Sequence, residues 1–76
     1  MEVMVVDDEP LVRELIVEEL EEAGVVVSEC ASAEVALAVI PLNDLPPAVI
    51  VTDVNLGPGM DGLALASEVR RRWPMM

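Results

Sequence analysis

Val3-Met4-Val5-Val6-Asp7-Asp8-Glu9-Pro10 is the stretch that decides how this chain folds. Four apolar residues, three of them β-branched and none alternating with polar ones, suit a strand buried on both faces of a parallel sheet. Two acids close the run. Pro10 fits the first turn of a following helix, with Asp8 or Glu9 as its cap. A second run of the same kind, Ala48-Val49-Ile50-Val51-Thr52, also ends in an acid, Asp53. In an open parallel sheet, ligands bind beyond the carboxyl ends of strands where the strand order reverses. If the two runs are neighbours, Asp7, Asp8 and Asp53 meet at one such edge. Clustered carboxylates repel one another, so their natural partner is a hard cation such as Mg²⁺.

The segments between and beyond these runs complete a repeating pattern. Leu11, Leu15, Ile16, Leu20 and Ala23 fall on one helical stripe, with Glu14, Glu18, Glu21 and Glu22 facing water, and Gly24 supplies the C-terminal cap. Val25 to Cys30 reads as a second strand, more polar toward its end, as an edge strand tolerates. Ser32 caps a short helix, Ala33 to Ile40, which Pro41 is expected to stop. Asn43-Asp44-Leu45-Pro46-Pro47 is a turn-rich connection into the strand Ala48 to Thr52. Asp61 caps a last helix with a stripe of Leu63, Ala66, Val69 (or Leu65) and Trp73, and Pro74 ends it.

The order is βαβαβα, and crossovers of helix length mean parallel strands. Right-handed connections then fix the layers. If the second strand lies on one side of the first and the third on the other, the first helix covers one face of the sheet. The second and third helices cover the opposite face. The order 2-1-3 puts the reversal between strands one and three, where the acids are.

Composition narrows the function. The chain has 76 residues, room for one small domain, and its 54% hydrophobic content separates it from disordered acidic chains. Fifteen acids against four basic residues give a net charge of −11, which argues against nucleic-acid or anionic-membrane binding. Arg70-Arg71-Arg72 is better read as a dipole-matched helix end than as a nucleic-acid patch. All four basic residues are arginines, and the absence of histidine removes the usual general base and imidazole ligand. Cys30 is the single cysteine, so no internal disulfide forms and a reducing cytoplasm fits best. No apolar stretch approaches a membrane span, and no basic segment leads into a signal peptide.

Val5-Val6-Asp7-Asp8-Glu9-Pro10 and Val51-Thr52-Asp53-Val54-Asn55-Leu56-Gly57-Pro58-Gly59-Met60-Asp61-Gly62 together resemble the receiver domain of bacterial response regulators. The resemblance runs from Val3 to Pro74 with the elements in the same order. It implies a flavodoxin-like α/β fold, of which residues 1–76 form the N-terminal part of a single receiver domain. It also implies Asp53 as phospho-acceptor and as one of the residues at the Mg²⁺ site, where Asp8 ligates directly, Asp7 through water and Asn55 through its main-chain carbonyl. The implied donor is a phosphohistidine on a sensor kinase, and the implied role is that of an acceptor in a phosphorelay, not an enzyme with a separate substrate. Two departures stand out. Gly57 and Pro58 occupy the fourth and fifth places after Asp53 and Met60 the seventh, one residue more than the family pattern. The Ser or Thr and the lysine that the family places on later strands are not among these 76 residues.

Three functions therefore compete. The first is a truncated receiver that takes a phosphoryl group on Asp53. The second is a receiver-like interaction module or fragment that is not phosphorylated, favoured by the missing lysine and hydroxyl residue. The third, an aspartate-nucleophile phosphatase, fits worst, because such enzymes space their first acids as Asp-x-Asp. The run Ala48–Thr52 carries no charge, proline or bulge signal, so as an edge it predicts self-association, either there or through uncovered helix faces.

Overall fold

The computed structural model describes residues 2–75. Its elements are β1 (Glu2–Val6), α1 (Pro10–Glu22), β2 (Val26–Cys30), α2 (Ala33–Val39), a 3₁₀ turn (Ile40–Leu42), β3 (Val49–Thr52) and α3 (Gly62–Arg72). The three strands form one parallel sheet in the order β2-β1-β3, as the strand pattern predicts. Val6 lies opposite Cys30 on one side and Thr52 on the other, so all three carboxyl ends finish level.

Alternation along β1 feeds two cores. Val3 and Val5 point to the α1 face and pack with Val17, flanked by Ile16, Leu20 and Val27. Met4 and Val6 point the other way, into a larger cluster with Ala33, Ala36 and Ile40 of the α2 region and Leu65 and Val69 of α3. This is the predicted distribution of helices, one on the first face and two on the second. β1 is central and covered on both faces, which is why its sequence shows no polar alternation.

The caps follow local chemistry. The Glu9 carboxylate accepts from Leu11 N at α1, the Ser32 hydroxyl from Val35 N at α2, and the Asp61 carboxylate from Ala64 N at α3. Gly24, just past α1, has a φ of 83°, the left-handed conformation expected of a terminating glycine.

Three local expectations need correcting. The stripe on α1 is only partly the buried one: Val17 is buried, Ile16 and Leu20 are half-buried, while Leu11 (70% exposed) and Leu15 (62%) face outward with Ala23. α1 has apolar residues around more than one face, and its packing over β1 and β2 selects the flank centred on Val17. On α3, Leu65 and Val69 point inward and Trp73 packs against the core, whereas Leu63 (66% exposed) and Ala66 do not. α3 packs against α2 as well as the sheet, which turns its Leu65–Val69 line inward. Finally, Pro41 does not end the helical path, because a 3₁₀ turn carries it on to Leu42. A proline near the start of a new turn loses no bond there, since those N–H groups lack helical partners anyway.

Among the described residues no helix is long and apolar enough to cross a membrane.

Candidate functional site

The edge is built by the sheet itself. Asp7 N donates to Cys30 O (3.1 Å) and Asp53 N to Val6 O (3.4 Å), so the ladder runs one residue past the strands on both sides of β1. Asp7 and Asp53 thus sit side by side at the carboxyl end, with Asp8 next in line.

Their side chains take different positions. Asp7 is 4% exposed, and its Oδ1 accepts from Glu9 N at 2.9 Å. A buried carboxylate needs such a donor, because desolvation without one is costly. The Arg13 guanidinium donates to the main-chain oxygen of Asp7 (2.8 Å) and pairs with Glu29 (3.0 Å). Arg13 thereby ties α1 and β2 to the start of the acidic turn. Asp8 and Asp53 are exposed, and among the described residues neither carboxylate accepts a hydrogen bond. Among the described residues no three acidic or cysteine side chains stand close enough together to hold a metal ion. The edge brings the main chains of Asp7 and Asp53 side by side.

The loop from Asp53 to Asp61 absorbs its extra residue through glycines. Gly57 (φ 78°) and Gly59 (φ 95°) adopt left-handed backbone on either side of Pro58. A Cβ on Gly57 would come within 2.8 Å of Asp8 Oδ2, so this glycine also makes room for the Asp8 carboxylate. Asn55 Oδ1 accepts from Gly57 N at 3.2 Å, closing the turn locally. Gly62 N donates to Val54 O at 2.8 Å, and a Cβ on Gly62 would collide with the main-chain oxygen of Asp53. α3 begins against the backbone of the acidic strand end, an approach only glycine permits.

Sequence reasoning missed two residues that organise this edge, Arg13 and Glu34. Glu34, from the first turn of α2, accepts from Met60 N at 2.8 Å and fills the space beside Gly59. Neither residue carries a local signal, since each acts on backbone that only the fold brings near. The Met60 amide holds the Glu34 carboxyl below the usual carboxylate range. A lowered folded-state pKa means that the contact is in place above the ordinary pKa and is lost as pH falls through the lowered one. The Met60 amide resonance is therefore expected to move as acid protonates Glu34, with a midpoint below that of an ordinary glutamate. A Met60 shift that titrates identically in Glu34→Ala would show that the contact is not formed.

Cys30 is buried, and burial pushes its thiol up, with Arg13 acting in the opposite sense. A protonated, enclosed thiol is a poor nucleophile, and Cys30 packs in the larger core cluster.

With this geometry in place, the relatives agree. The family model for the response regulator receiver domain matches residues 3–76. The chain belongs to the response-regulator receiver family. An NtrX-like response regulator of Rickettsia conorii is 32% identical over 77 residues, a match covering 100% of this chain and 16% of that protein. The DNA-binding transcriptional regulator NtrC of Salmonella typhimurium is 35% identical over 74 residues, covering 97% of this chain and 15% of the relative. Among solved structures, response regulator TrrA of Thermotoga maritima, in complex with Mg²⁺ and BeF, superposes with a TM-score of 0.86 at 34% identity. That match covers 96% of this chain and 61% of the other. The receiver chain thus spans well under a fifth of these curated relatives.

Proposed function

We propose that this receiver accepts a phosphoryl group on Asp53 from a phosphohistidine of a sensor histidine kinase or phosphotransfer protein, in a cytoplasmic two-component pathway. The supporting observation is the position of Asp53: an exposed carboxylate at the carboxyl end of β3, level with Asp7-Asp8 on the adjacent strand. Exposure leaves the Asp53 oxygen free for in-line approach. Its attack forms a phosphorus–oxygen bond as the phosphorus–nitrogen bond to histidine breaks, leaving an acyl phosphate on the receiver and neutral histidine on the donor.

The residues at the edge suit Mg²⁺, and TrrA was solved in complex with that ion. Every donor offered is a hard oxygen: the carboxylates of Asp7, Asp8 and Asp53 and the main-chain carbonyl of Asn55. The space left by Gly57 lets Asp8 stand over the loop without a competing hydrogen bond among the described residues. Mg²⁺ bound here supplies positive charge that offsets repulsion between Asp53 and an incoming phosphoryl group. Arg13 and Glu34 position the two backbone segments that present the acids. In this reading the chain is an acceptor and not an enzyme with a separate substrate.

A second reading, an interaction module that is not phosphorylated, is favoured by the acids' spacing, since among the described residues no three of them stand close enough together to hold a metal ion. Intact-mass measurement after incubation with a small acyl-phosphate donor and Mg²⁺ separates the two. One phosphoryl group per chain is expected, absent in Asp53→Asn. No added mass after prolonged incubation, or equal labelling of Asp53→Asn, would leave the interaction module as the better description.

A further inference from the structure

We propose that Glu34 sets the Mg²⁺ affinity of the acidic edge as a positioning residue, gripping one end of the Gly57-Pro58-Gly59 arch while Asp8 stands against the other. The proposal rests on the Mg²⁺ site described above and adds to it a residue from α2. The arch is three exposed residues slung between two anchors. Leu56 before it is buried in the larger core cluster, and Met60 after it packs against the same cluster. Gly57 and Gly59 both hold left-handed backbone, and neither has a side chain with which to fasten the arch. Pro58 between them has no N–H to donate.

Two carboxylates from distant parts of the chain meet this arch. A Cβ on Gly57 would stand 2.8 Å from Asp8 Oδ2, and a Cβ on Gly59 would stand 2.7 Å from Glu34 Oε2. Asp8 therefore lies close against the first glycine, and Glu34 against the last. Glu34 Oε2 also accepts from Met60 N at 2.8 Å, which makes its grip a directed bond. The base of that grip is firm. The Ser32 hydroxyl caps α2 through Val35 N, and Ala33 and Ala36 on either side of Glu34 are fully buried in the core. At the other end, Gly57 N donates to Asn55 Oδ1 at 3.2 Å, so the arch's position is passed to the residue whose carbonyl belongs to the proposed ligand set.

Ligands held in place before an ion arrives bind it more tightly than ligands the ion must order. Without the Glu34 contact, the two glycines let the arch sample other backbone conformations, and Mg²⁺ has to order it on binding. Ordering about one backbone residue at that moment lowers affinity roughly tenfold. The coupling is reciprocal, so Mg²⁺ on the edge tightens the Glu34–Met60 bond by the same factor. A purely electrostatic role for Glu34 has a different signature, because Gln would then fail as fully as Ala. Gln keeps an oxygen that accepts from Met60 N, so a contact role predicts that Gln suffices.

Isothermal titration calorimetry of this chain with Mg²⁺, and hydrogen exchange at the Met60 amide with and without the ion, test the proposal. Glu34→Ala is expected to bind Mg²⁺ about tenfold more weakly than the parent, and Glu34→Gln within about twofold of it. In the parent, saturating Mg²⁺ should slow Met60 amide exchange by up to about tenfold. Glu34 is exposed, so Glu34→Ala leaves the core intact, and circular dichroism checks that it is folded. If it is not, Glu34→Gln and the Met60 exchange of the parent still decide. Equal Mg²⁺ affinity in the parent and Glu34→Ala overturns the proposal and leaves the Mg²⁺ site standing. Equal weakening in Glu34→Ala and Glu34→Gln overturns it as a charge effect, and Met60 exchange indifferent to Mg²⁺ overturns the coupling. No Mg²⁺ binding by the parent, or binding untouched by Asp8→Ala, removes the site itself and this proposal with it.

Discussion

Gly62→Ala is expected to cost about 3 kcal/mol, lowering the melting temperature by about 12–24 °C in a domain of this size. The added methyl would overlap the main-chain oxygen of Asp53 and crowd Val54 Cα at 3.0 Å. Both obstacles are backbone, so neither moves aside as a flexible side chain would. Gly62 N also donates to Val54 O, which fixes the distance from which the methyl would have to retreat. Relief requires the start of α3 to lift from the end of β3, opening the core beneath Leu65. Gly24→Ala is the matched control. Nothing lies within 4 Å of a Cβ there, so it carries only the strain of a left-handed φ, about 1–2 kcal/mol. Thermal melts of the two variants side by side give the answer. If Gly62→Ala unfolds no earlier than Gly24→Ala, the close approach of α3 to Asp53 is not a feature of the folded chain.

The second large effect is stabilisation by Mg²⁺, which rests on the proposed binding edge. A ligand held only by the folded state at a hundred times its dissociation constant adds about 2.7 kcal/mol, or about 11–22 °C in melting temperature. The sign is sharpened by what the acids do alone. Asp8 and Asp53 are exposed like charges at neighbouring strand ends, so removing one relieves repulsion. Asp8→Ala should therefore melt slightly higher than the parent without Mg²⁺ and gain almost nothing when Mg²⁺ is added. Glu9→Ala separates site from scaffold. It loses the α1 cap on Leu11 N, which costs about 1 kcal/mol, yet should keep the Mg²⁺ increment. Differential scanning fluorimetry with and without millimolar Mg²⁺ reads all three. An equal Mg²⁺ shift in the parent and Asp8→Ala would place the ion elsewhere.

Much of this architecture was legible because its causes are local. β1 and β3 announce themselves as short β-branched runs closed by acids. Ser32 and Asp61 cap the helices that their sequences promise, and Gly24 ends α1 in the conformation that its missing side chain allows. The order 2-1-3 entered the sequence reading as a condition, and the sheet shows it. Given that order, crossover handedness places α1 on one face and α2 and α3 on the other, and the acids that close β1 and β3 finish at one edge. The family followed from those same acids together with Met60-Asp61-Gly62.

What the chain did not declare is whatever depends on one element meeting another. α1 has apolar residues on more than one flank, and only its seat on β1 and β2 chose Val17 over Leu11 and Leu15. Arg13 reads as an ordinary helix cation until the fold brings the Asp7 main chain and Glu29 to it. Glu34 reads as a first-turn acid until the loop delivers the Met60 amide from 26 residues away. Gly62 reads as a helix-start residue until the Asp53 carbonyl closes on it. Periodicity and capping are set by neighbours in sequence, so the sequence determined which elements form, where they start and which acids share an edge. Hydrogen bonds between distant backbone and side-chain groups exist only after packing, so the tertiary structure alone decided how that edge is held.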